Sequence, residues 1–62
     1  MPATTVAIAV IDDHPLLREG VSSTLQSVDD FEVIEQGESY QDALRIAHEA
    51  MPDIILLDIS MP

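Results

Sequence analysis

Asp12, Asp13 and Asp58 are the residues whose type and placing could do chemistry. Each stands where an apolar run ends. Val6-Ala7-Ile8-Ala9-Val10-Ile11 stops at Asp12-Asp13, and Ile54-Ile55-Leu56-Leu57 stops at Asp58, ahead of Ile59-Ser60-Met61-Pro62. If the two runs are neighbouring parallel strands, three carboxylates meet at one end of a sheet. Carboxylates that close resist joint ionisation unless a cation or phosphoryl chemistry uses them. The carboxyl ends of parallel strands are also where open α/β sheets hold their sites. Taken singly, Asp12-Asp13 reads as a helix cap with a solvated neighbour, and Asp58 as a strand end entering a turn. Together, at the ends of two strands, they read better as one acidic site.

Other polar residues are weaker candidates. Ser60 has no base partner nearby in the sequence, and its backbone carbonyl, a hard oxygen suited to Mg2+, is its more useful group. His14 could tune the acidic pair but reads first as a partly exposed residue before Pro15. His48 reads as solvated. Arg18 and Arg45 are isolated and read as surface ion pairs of little energy. Gly20 and Gly37 do not form a phosphate-cradling loop.

The elements that must position these acids follow from periodicity. The first strand, about Thr5 to Ile11, is apolar on both faces, as a central parallel strand covered by helices would be. Pro15 suits a first helical position, with Asp13 or His14 as the cap. Leu17, Val21, Leu25 and Val28 recur at helical spacing and predict a buried stripe. Gly20 weakens that helix by about 1 kcal/mol relative to Ala. Asp29-Asp30 ends it.

Phe31 to Glu35 partly alternates, like a half-exposed edge strand, and Gly37 marks the turn out. Ser39 and Asp42 resemble a capping box for a second helix, whose apolar face is predicted from Tyr40, Ala43, Leu44 and Ala47. Pro52 stops it, and Asp53 leads into the third strand. The frame is βαβαβ. Right-handed crossovers with the most apolar strand central predict the order 2-1-3, with the helices on opposite faces.

Bulk properties narrow the function. Twelve acids against two arginines give a net charge of −10 in 62 residues, with no lysine and no cysteine. Such a surface repels nucleic acid and anionic membrane and suits a divalent cation or a basic partner. No Cys/His cluster reads as a zinc site. No apolar stretch approaches the roughly 20 residues that span a bilayer, and the start does not read as a secretory signal. An apolar fraction of 47% argues against a disordered acidic tail.

The string Ile11-Asp12-Asp13-His14-Pro15-Leu16-Leu17-Arg18-Glu19-Gly20, with Asp53 to Asp58 and Ile59-Ser60-Met61-Pro62, resembles a bacterial two-component response-regulator receiver domain. The opening segment most resembles the subfamily whose receivers precede a helix-turn-helix DNA-binding domain. The resemblance implies a flavodoxin-like α/β fold, of which residues 1–62 are the N-terminal βαβαβ half. It implies Asp58 as phosphoacceptor and, with Asp12 and Asp13, as a Mg2+ ligand, and the Ser60 carbonyl as a further protein ligand. It implies a histidine kinase as phosphodonor, a cytoplasmic location, and contact with DNA only through an output domain. The family also has a hydroxyl residue after strand 4 and a lysine after strand 5. This chain has neither, and is expected to be a truncated piece of a longer regulator; the piece is expected to dimerise through its open third strand, exchange elements with a copy, or stay partly unfolded when dilute.

The leading reading is therefore a switch module rather than an enzyme. Its rivals are a Mg2+-dependent phosphohydrolase with an aspartate nucleophile and a metal-free interaction domain. Many such hydrolases carry Asp-x-Asp where this chain has Asp-Asp-His. Turnover of a generic phosphate ester would favour the first rival, and indifference to Mg2+ the second.

Overall fold

The computed structural model describes residues 5–58. Five elements alternate along them: β1 (Val6–Asp12), α1 (Pro15–Gln26), β2 (Phe31–Gly37), α2 (Tyr40–Glu49) and β3 (Ile54–Asp58). The strands form one parallel sheet in the order β2-β1-β3, as the crossover rule predicts. β1 is central because its side chains are apolar on both faces, and Ile8 to Ile11 are all buried.

The two faces are unequally covered. Ala9 and Ile11 pack with Ala43 and Ile46 of α2, with Ala50 and Ile55 at the margin. Val10 points to the opposite face, where Leu17 and Val21 of α1 line a cleft together with Leu56. Burial of the large β1 and α2 side chains supplies about 1.5–3 kcal/mol each.

Both helix faces differ from the spacing-based expectation. On α2 the buried pair is Ala43 and Ile46, while Tyr40 (58%) and Leu44 (63%) are exposed and Ala47 is exposed as well. Ile46 lies about one turn after Ala43 and shares a cluster with Ile11, so the core takes the 43-46-50 row instead. On α1, Val21 and Leu25 are half-buried, Leu17 is exposed and Ser22 is the buried residue; the helix ends at Gln26, short of Asp29-Asp30, so Val28 lies beyond it and is exposed. A small Ser lets the helix lie close to the sheet, at the cost of a buried hydroxyl that has no partner.

β2 runs two residues further than its apolar alternation suggests. The register shifts from Ile8↔Val33 to Ala9↔Glu35, so Ile34 is the extra residue of a bulge. That is why Val33 and Ile34 are both half-buried and the alternation in the sequence is only partial. Gly37, the last residue of β2, is buried without a positive φ. A Cβ there would sit 2.7 Å from Cβ of Asp42 and 3.0 Å from Cδ1 of Ile11. Close approach of strand to helix demands this glycine.

Candidate functional site: an acidic cluster at the carboxyl ends of β1 and β3

The site begins with register. At the start of β3, Asp53 accepts from the Ala7 N–H through Oδ2 (2.8 Å) and donates its own N–H to the Ala7 carbonyl (2.8 Å). These two bonds pin β3 against β1, and the same register runs without a bulge to Asp12↔Asp58. Asp53, read from sequence only as a lead-in, therefore helps set which residues meet at the far end. A carboxylate just before an apolar run was the available signal.

Asp12 is 3% exposed. Its Oδ1 accepts the His14 backbone N–H at 2.8 Å, closing an Asx turn across Asp13. Neither predicted cap is made: His14 holds the N-cap position of α1 with extended geometry and no side-chain cap bond. Asp12 instead orders the loop one step earlier, and Pro15 starts the helix. At α2 the expected pairing is close to what forms. Ser39 Oγ accepts from the Asp42 N–H (3.1 Å), and Asp42 Oδ2 reaches back to the Glu38 N–H (3.0 Å), one residue before the cap.

His14 is more central than sequence reasoning made it. Its Nδ1 lies 3.0 Å from Oδ1 of Asp12 and 3.0 Å from Oδ1 of Asp13. Carboxylates only accept, so Nδ1 carries the proton and donates it in a hydrogen bond to Asp12, with Asp13 beside it as an ion-pair partner. The hydrogen bond to Asp12, followed by the charge of Asp13, raises the His14 pKa; the charges of Asp12 and Asp58 add to this, against an opposing desolvation. The His14 backbone N–H, more than any other group, lowers the Asp12 pKa, while burial works the other way. The signal was the Asp-x-His spacing at a strand end.

Arg18 also departs from expectation. Its Nη1 donates to the Asp12 main-chain carbonyl at 2.9 Å, while its ion pair with Glu38 is long, at 3.9 Å. Arg45 does make the expected surface pairs, with Asp42 and Glu49, both at 3.7 Å.

Donor atoms of Asp12, Asp13 and His14 lie within 4.8 Å of one another. Asp58 stands next to Asp12 by strand pairing, but its carboxylate is not among the donor atoms of that group. Ser60 lies outside the described residues. Carboxylate oxygens are the hard donors that Mg2+ takes, and a hard cation relieves their mutual repulsion, so the residues present fit that ion. Among the described residues no helix is long and apolar enough to cross a membrane.

Known proteins resemble this chain in sequence and fold. A profile described as response regulator receiver domain matches residues 8–62. The transcriptional regulatory protein DegU of Brevibacillus brevis is 44% identical over 57 residues, covering 92% of this chain and 24% of that protein. The response regulator protein VraR of Staphylococcus epidermidis is 43% identical over 56 residues, covering 90% of this chain and 27% of that one. The signal receiver domain of NarL from Mycobacterium tuberculosis superposes with a TM-score of 0.87 at 37% identity, covering 95% of this chain and 48% of the NarL chain. The chain thus spans about a quarter of the length of the curated relatives it matches. A parallel β2-β1-β3 sheet, an acidic cluster at its carboxyl end, and these matches across nearly all its residues converge: the chain belongs to the response regulator receiver domain family.

Proposed function

We propose that Asp58 accepts a phosphoryl group with Mg2+ held by Asp12 and Asp13, so that the chain serves as the phosphoacceptor end of a two-component switch. The observation that carries this is the pairing of Asp12 with Asp58 at the carboxyl end of the sheet, beside Asp13. Asp58 is exposed at its strand end, open to a donor, whereas Asp12 is buried. That division suits an accessible nucleophile beside fixed ligands. In the transfer an Asp58 carboxylate oxygen attacks phosphorus, the bond from phosphorus to the donor nitrogen breaks, and an acyl phosphate forms. When bound, Mg2+ would offset the carboxylate charge and stabilise charge on the transferring oxygens. The main-chain carbonyl of Ser60 is the further ligand in this reading.

A histidine kinase is the proposed donor, in the cytoplasm. The printed description of DegU as a transcriptional regulatory protein supports an output that acts on DNA through a separate domain. The receiver segment itself, at a net charge of −10, is unsuited to phosphate backbones. In this reading residues 1–62 supply the acidic half of a receiver, and a hydroxyl and a lysine come from a second half.

The test joins the chain to the second half of a receiver domain and adds a small phosphodonor with Mg2+. Label should appear on the wild type and vanish in Asp58→Asn or on chelation. Equal labelling of Asp58→Asn would overturn the assignment, and steady release of phosphate from a generic ester would favour a hydrolase.

A further inference from the structure

We infer that Arg18 is a positioning residue for the acidic site, acting through the Asp12–Asp13 peptide; this rests on the metal-site reading above. The oxygen that Arg18 Nη1 grips at 2.9 Å belongs to the planar unit joining the two acids. Holding that oxygen fixes the ψ of Asp12 and the φ of Asp13 together. The second grip comes from Asp12 Oδ1 on the His14 N–H, at 2.8 Å. Asp13 lies between the two grips. Its carboxylate is 36% exposed and has His14 as its charged partner among the described residues. The aim of the Asp13 side chain is therefore set by its backbone, and Arg18 holds that backbone from the α1 side.

The guanidinium is well placed to stay there. Its side chain is 20% exposed, beside a polar cleft formed with Gln36, Gly37, Glu38 and Asp42. Glu38 is 70% exposed and 3.9 Å away, too distant and too wet to be the main reason for the placement. The Glu38 N–H is itself tied to Asp42 Oδ2. Arg18 thus stands between the loop after β1 and the loop after β2.

Two roles for Arg18 predict opposite signs. As a mere charge, a cation beside the acids repels a divalent ion, and its removal tightens Mg2+ binding. As a positioning group, its removal loosens Asp13 and weakens Mg2+ binding.

The experiment titrates the 62-residue chain with Mg2+ by calorimetry, in wild type, Arg18→Met and Arg18→Lys, beside thermal unfolding and amide exchange without metal. Arg18→Met should bind roughly tenfold more weakly, the usual lower range for groups that orient metal ligands. Arg18→Lys keeps a donor and should hold most of the affinity. Without metal, the Asp13 and His14 amides should exchange faster in Arg18→Met. Binding in Arg18→Met as tight as wild type, or tighter, overturns the inference. If Arg18→Met does not fold, Arg18→Gln, which also removes the charge, decides the matter: affinity equal to or tighter than wild type overturns the inference. A wild type indifferent to Mg2+ sinks the metal-site reading instead, and unchanged Asp13 exchange in Arg18→Met then sinks this one too.

Discussion

Asp12 joins backbone, side chain and charge at one point of the sheet. Its carboxylate orders the loop through the His14 N–H, and the same oxygen accepts a hydrogen bond from the His14 ring. The consequences for pH have opposite signs. His14 has a folded pKa raised above 6.5, so its stabilisation is fully present below 6.5 and is lost as pH rises through the folded value. Asp12 has a folded pKa lowered below 3.8, so its stabilisation is present above 3.8 and is lost as pH falls through the folded value. As pH rises from 6.5 through the folded value, the melting temperature should therefore fall. The slope should flatten in His14→Gln, as followed by circular dichroism. An equal slope in that variant would remove His14 from the account.

At the scale of elements, strands were legible and helix faces were not. The apolar runs named β1 and β3, their terminal acids marked the site end, and handedness gave β2-β1-β3. Those features depend on single-residue type and a chirality rule. The helix faces depend on where each helix axis settles, which spacing alone does not fix. Thus α2 buries Ile46 rather than Leu44, and α1 buries Ser22 while Leu17 stays exposed. The bulge at Ile34 was equally hidden, because an extra residue looks like weak alternation. Gly37 looked like a turn marker but serves close packing. Its replacement tests that reading: Gly37→Ala pushes a methyl against Asp42 and Ile11 and should cost about 1–3 kcal/mol, the usual penalty of overpacking. Urea unfolding measures it. A neutral outcome would mean that α2 moves away freely.

For the whole molecule, the acid excess, the strand ends and the receiver likeness were readable at once, whereas the contacts of Arg18 and Asp53 needed three dimensions, since each joins residues that sequence does not flag as partners. Among the described residues β3 pairs only with β1, and Ile54, Leu56 and Leu57 along it are exposed. An open apolar edge of this kind invites pairing with a copy. The net charge of −10 opposes association, and salt screens that opposition. Light scattering across a dilution series should therefore show a 62-residue chain that associates more strongly as salt is added. A monomer at every concentration, with slow amide exchange along β3, would contradict this. The central claim is that Asp12, Asp13 and Asp58 act as one site. The most direct measurement is an NMR titration of the chain with Mg2+. The account predicts that resonances of Asp12, Asp13 and Asp58 move first and saturate together. Shifts spread over the surface acids Glu19, Glu32, Glu35 and Glu49, with the strand-end aspartates unmoved, would contradict it.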